Sequence, residues 1–190
     1  MKKLFVLLTV VVWGISVNAV YASDEAECPV GLVSGMTLDA EFGPGTQAIT
    51  RCITKRNKLK VVYQINKECR SDKCAKPYAV GNIVNAIKDY EITHGMKAGK
   101  DYEVVAIVHS GGWKLILDNA STDPHASGYN LFQPQVQNLL DKGVKILFCQ
   151  NTARNKNVKT SNMIAGVGYV TAGVTAIADL QAIGYNYVQP

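Results

Sequence analysis

Short apolar runs alternate along this chain with stretches whose apolar positions recur every three or four residues. Leu59 to Ile65 is β-branched, aromatic and largely apolar, the mark of a strand. A polar loop follows from Asn66 to Lys76. Then Val80, Ile83, Val84, Ile87 and Tyr90 recur at helical spacing, with Pro77 suited to the first turn and Gly95 to the stop. Tyr102 to Val108 reads as a second strand and runs into His109-Ser110-Gly111-Gly112. Trp113 to Leu117 is a short apolar turn, and Asp118 to Gly128 is a polar connection. Pro134 opens a second helix, with Val136, Leu139 and Leu140 inward and Gly143 as its stop. Val144 to Cys149 is the third strand. A polar segment to Asn162 leads to a short strand near Val167–Val170. A helix from about Gly173 to Ile183 turns Val174, Ile177 and Leu180 to one face, Gly184 caps it, and Tyr185 to Val188 closes the chain as a strand.

Strands alternating with helices mean βαβ units, hence an α/β fold around a mainly parallel sheet. Right-handed crossovers then place helices on both faces. The pattern is weaker before Leu59. Met1-Lys2-Lys3 precedes an apolar run from Leu4 to Ile15, and Val20-Tyr21-Ala22 presents the small residues a signal peptidase reads. Residues 1–22 are therefore expected to be a secretory signal peptide, with a cut after Ala19 as the alternative. That apolar run is too short for a comfortable membrane span. The mature protein is expected in the periplasm, free of the membrane. Residues 23–58 form an N-terminal extension rich in glycine, and residues 59–190 form the α/β domain.

Charge adds little. The formal net charge of +5 falls to +3 once Lys2 and Lys3 leave with the signal. The basic residues are scattered, so nucleic acid is not an expected partner. Gly111-Gly112 is no phosphate-binding loop, and no glycine fingerprint follows the first strand, so no nucleotide cofactor is expected. Trp113, the mature chain's tryptophan, reads as core or interface.

The cysteines change the picture more. Cys28, Cys52, Cys69, Cys74 and Cys149 all lie in the mature part, an odd number in an oxidising compartment. Cys149 ends a strand where polar residues take over. In open α/β sheets that edge is where ligands gather. Asn151 and Thr152 are helix-capping types, and Arg154 and Lys156 add positive charge, all favouring thiolate over thiol. A small buried hydrophobe ending a strand is the competing reading of Cys149. His109 leaves a neighbouring strand end and could serve as base or hydrogen-bond partner to Cys149; a buried histidine capping a loop is its alternative. His94 and His125 read as loop or helix-end residues. The spacing of Cys69 and Cys74 fits neither a thioredoxin-like motif nor a zinc site, and no metal is expected.

Cys69 and Cys74 share one polar loop and can bridge without disturbing a strand. Cys28 and Cys52 then pair outside the core, and Cys149 is the free thiol. The competing outcome joins Cys149 to Cys69 or Cys74, if the first and third strands are neighbours, and makes a thiol–disulfide switch.

Several stretches carry a family resemblance: Gly143-Val144-Lys145-Ile146-Leu147-Phe148-Cys149-Gln150-Asn151-Thr152, then Gly166 to Val174, then Leu180-Gln181 with Gly184-Tyr185-Asn186-Tyr187. In this order they resemble the DsrE/DsrF-like proteins, and Asn82–Ile92 and Val104–Gly111 also fit. The resemblance spans roughly Leu59 to Pro190. It implies a small flavodoxin-like three-layer fold that assembles into homo-oligomers, often trimers or hexamers. It also implies that a cysteine at the position of Cys149 carries sulfur as a persulfide and exchanges it with donor and acceptor proteins. The competing functions are a non-catalytic oligomeric binding module and a redox protein pairing Cys149 with Cys69/Cys74. Trp113 to Leu117 is expected to leave an apolar group for the oligomer to cover.

Overall fold

The computed structural model describes residues 58–190, apart from His94 and the side chain of Thr93. The expected signal peptide and the extension with Cys28 and Cys52 lie outside the described residues.

Five strands form one sheet: β1 (Leu59–Ile65), β2 (Tyr102–Val108), β3 (Lys145–Cys149), β4 (Gly168–Val170) and β5 (Asn186–Val188). Every pairing is parallel, and the order is β4-β3-β2-β1-β5. The helices are α1 (Val80–Lys88), α2 (Gln133–Asp141), α3 (Gln150–Lys156) and α4 (Gly173–Ala182). From β1 to β4 the chain steps in one direction; it then crosses back past β1 to β5. Right-handed connections force that reversal to lay its helix on the opposite face.

The two cores follow from this path. Side chains alternate across each strand. Val61, Tyr63, Ile65, Val104, Ala106, Val108, Ile146 and Phe148 pack with Ile83 and Ile87 of α1 and Val136 and Leu139 of α2. Val62, Val105 and Ile107 point the other way and pack with Ile177 of α4 and Tyr185. Helices therefore cover both faces, the three-layer α/β arrangement expected from the alternating pattern.

Local expectations needed correction in four places. Pro77 is not in the first turn of α1. It faces Cys69 across an antiparallel bridge, and the helix opens at Val80, because the Cys69–Cys74 loop is pinned by Arg70 N–H to Lys76 O and Tyr78 N–H to Glu68 O. A π-helical turn, Asp89–Thr93, continues α1 and carries Tyr90 to within 5.3 Å of the Tyr102 ring. Val174 is 69 % exposed rather than inward, since α4 reaches the sheet through Ile177. Trp113 to Leu117 leaves little apolar surface uncovered: it lies in and just after a 3-10 turn, Ser110–Ile116, Leu115, Ile116 and Leu117 are buried in the larger core, and Trp113 packs half-buried against it.

Candidate functional site at the end of the third strand

Cys149 ends β3 and is the residue immediately before α3. Ile146 and Phe148 face the larger core and Leu147 the smaller, so strand alternation turns Cys149 toward α4. It pairs with Val170 of β4 and is 5 % exposed. Among the described residues it is the free cysteine.

Strand passes to helix with no intervening loop. Cys149 itself therefore occupies the cap position expected of Asn151 or Thr152. Burial alone pushes the Cys149 thiol up. It is outweighed by the Thr152 N–H and hydroxyl and the N–H groups of Gly173 and Asn151, which hold the thiol below its ordinary value. No side-chain bond of ordinary geometry caps α3, so these donors act chiefly on the anion.

Arg154 does not join them. It is exposed and reaches back to the Asn151 carboxamide oxygen at 3.4 Å. The Lys156 ammonium lies 6.0 Å from the Trp113 ring centroid. The positive charges expected beside Cys149 point elsewhere, because the short α3 carries both in its last turn. The thiolate is favoured here by neutral donors.

His109 follows β2 and is 8 % exposed. It is not bonded to Cys149, contrary to the direct partnership expected of it. Its Nε2 lies 2.8 Å from Gln64 Nε2 and its Nδ1 2.9 Å from Ser110 Oγ. The Tyr187 hydroxyl donates to Gln64 Oε1, which leaves the Gln64 NH₂ to donate to His109. Nε2 is then the acceptor, and Nδ1–H donates to Ser110. Burial lowers the His109 pKa, consistent with a neutral ring. The first residue of α4 lies against that ring: a Cβ on Gly173 would come within 3.0 Å of the His109 Cβ. Ser110 N–H donates to Thr152 Oγ1 at 3.0 Å.

Cys69 and Cys74 form a disulfide with their Cα atoms 4.9 Å apart. They pack against the larger core, on the α1 side. The expected adjacency of β1 and β3 does not occur, because β2 lies between them. The bridge from Cys149 to this loop is therefore not formed. Glu68 stands beside the two sulfurs, but a closed disulfide leaves them no thiolate to offer a metal. His125 meets the Trp113 ring edge-to-face, with centroids 5.0 Å apart, and donates to the Lys156 carbonyl at 2.8 Å. His94 lies outside the described residues. A cleft of about 660 Å³ between α1 and α2, lined by Arg70, Tyr78, Asn85 and Asn138 among others, belongs to the opposite face from Cys149.

Sequence reasoning missed Gln64, Ser110, Gly173 and Tyr187. Gln64 had a signal, as an uncharged polar residue inside an apolar strand. Gly173 had none, because it reads only as a helix start.

The family model of the DsrE/DsrF-like family matches residues 60–190. No curated protein matches the chain. Among solved structures, a protein of unknown function from Methanobacterium thermoautotrophicum, MTH1491, is 21 % identical with a TM-score of 0.54, over 70 % of this chain and 99 % of its own. The ychN protein from E. coli is 16 % identical with a TM-score of 0.47, over 69 % of this chain and 97 % of its own. The first of these likenesses supports the fold alone. With the family model spanning the whole sheet from the second residue of β1 to the last residue of the chain, this protein belongs to the DsrE/DsrF-like family.

Proposed function

We propose that the protein handles sulfane sulfur at Cys149 in a sulfur relay, holding it as a persulfide and passing it to partner thiols. The observation that carries this reading is a free, unbridged cysteine ringed by four neutral donors at the C-terminal edge of a parallel sheet. The Cys149 thiolate attacks the outer sulfur of a donor persulfide. One S–S bond forms, the donor's breaks, and the donor leaves as a thiolate, so no oxidant is consumed. Attack of an acceptor thiolate on the outer sulfur reverses the sequence. The donors around Cys149 lower the cost of its anionic form before loading and after release. Family membership supports the same reading. Mass spectrometry after exposure to polysulfide tests it: one added sulfur atom on Cys149 is expected, and an unmodified Cys149 overturns it.

The 5 % exposure of Cys149 favours a second reading, a non-catalytic binding module in which the thiol is structural. A Cys149→Ser variant that keeps every property of the parent would favour that reading. Export to the periplasm, with residues 1–22 removed, and assembly into a homo-oligomer, trimer or hexamer, complete the proposal. Val174, Ile183, Tyr187 and Val188 support the assembly, because α4 and β5 leave these large apolar side chains exposed.

A further inference from the structure

The bonds running from β5 to α3 assign Gln64, His109 and Ser110 a part that contact with sulfur would not reveal. We propose that they are positioning residues for Cys149: they fix the Thr152 hydroxyl so that its proton is directed at the sulfur.

Tyr187 donates to Gln64 Oε1, which orients the amide. Gln64 donates to His109 Nε2 at 2.8 Å and thereby selects the tautomer with its proton on Nδ1. That proton goes to Ser110 Oγ at 2.9 Å. Ser110 has a φ of 49°, a left-handed conformation that a serine holds only when its surroundings specify it. In that conformation its N–H points to Thr152 Oγ1 at 3.0 Å. A hydroxyl that accepts on one side has one proton left to give. Cys149 is the cap residue of α3 and Thr152 its third helical residue, the spacing at which a cap side chain and a first-turn side chain meet, and a hydroxyl there favours the anion. Gly173 completes the arrangement: its missing side chain lets α4 approach His109, and its own N–H faces the same sulfur.

Apart from the bond between the neighbours His109 and Ser110, the bonds cross between elements: β5 to β1, β1 to the residue after β2, and the 3-10 turn to α3. Burial of His109 and Thr152 does not by itself call for such a chain, since Ser110 and Tyr187 are exposed at an edge where water is available. The titratable groups that face this chain are His109, directly after β2, and Tyr187 of β5. From α3 and α4 it is faced by Thr152, Asn151 and backbone N–H groups, and from β1 by the neutral Gln64. The inference shares its cysteine with the sulfur-relay reading but needs no sulfur donor to be tested.

The experiment is the pH dependence of Cys149 alkylation in the full mature chain with the Cys69–Cys74 disulfide left closed, alongside long-range proton–nitrogen spectra of the imidazoles. Thr152→Val is expected to raise the alkylation midpoint by about one pH unit, and Thr152→Ser to restore it. Gln64→Leu removes nothing that touches sulfur. It is nevertheless expected to raise the midpoint by about half a pH unit, about threefold in rate at neutral pH. Gln64→Glu is expected to move the His109 proton from Nδ1 to Nε2 in the spectra. A Gln64→Leu variant that is folded by circular dichroism and alkylates like the parent overturns the proposal. So does a parent spectrum with the His109 proton on Nε2. A thiol that responds to Gln64 yet never takes up sulfur overturns the sulfur relay and leaves the positioning intact.

Discussion

The thiolate of Cys149 is favoured by dipoles rather than by charges, and that has a measurable signature. Charge pairs at a surface weaken as salt rises, whereas the pull of nearby neutral N–H and O–H dipoles does not. The alkylation rate of Cys149 is therefore expected to change by less than about twofold between about 0.05 and 0.5 M salt. A steep fall would return Arg154 and Lys156 to the role assigned them from sequence. His109 gives a second signature. Its folded pKa lies below the unfolded value of 6.5, because burial disfavours the imidazolium. As pH falls below that value the unfolded chain takes up a proton that the folded chain refuses, so stability drops from there toward the folded pKa. Urea titrations at pH 7.5 and pH 5.5 should show this loss, and a His109→Gln variant should show less of it. The strand-end position of Cys149 was legible because the end of an apolar strand is a local event. The place of His109 at a strand end was legible, but its Gln64 partner was not, since it lies 45 positions away on another strand.

At the scale of elements, the site depends on two close approaches. The 3-10 turn after β2 runs against the end of β1, where a Cβ on Gly112 would meet the Ile65 carbonyl oxygen at 2.6 Å. Backbone cannot yield there as a side chain could. The first turn of α4 runs against His109, and Gly173→Ala would press a methyl group onto the ring at 3.0 to 3.1 Å. Gly173→Ala is expected to cost about 1–3 kcal/mol in urea unfolding and to slow Cys149 alkylation, by displacing both His109 and the α4 N–H. Unchanged values for both would show that the packing is looser than described. On the other face Phe148, fully buried beside Cys149, anchors β3 in the larger core. Phe148→Ala is expected to cost about 3–5 kcal/mol, read as a lower urea midpoint.

At the scale of the whole molecule, the sheet keeps the disulfide and the free thiol apart. The Cys69–Cys74 disulfide closes a short loop on the α1 side, while Cys149 faces α4. Reduction of the disulfide is expected to cost about 2 kcal/mol, the loop-closure entropy of so short a ring. It should leave Cys149 alkylation unchanged. Non-reducing peptide mapping is expected to return Cys69 joined to Cys74 and Cys149 unbridged. A Cys149 peptide joined to that loop would require β2 to leave its place between β1 and β3. Sedimentation at micromolar concentration tests the proposed homo-oligomer; a monomer would mean that the exposed side chains of α4 and β5 stay in water.

The amino-acid sequence by itself determined the order of strands and helices, the parallel sheet and the strand-end position of Cys149. Each is written in a local period, two for strands and between three and four for helices, that survives without knowledge of neighbours. Tertiary structure decided the rest. It placed β2 between β1 and β3, which separates Cys149 from the Cys69–Cys74 loop. It brought the Gly173 N–H to the Cys149 sulfur and Gln64 to the His109 ring, contacts between residues 24 and 45 positions apart. It turned Arg154 and Lys156 away from the thiol. These outcomes depend on which face a helix covers and where a returning strand docks. A crossover of the chain sets both, and no run of neighbouring residues records it.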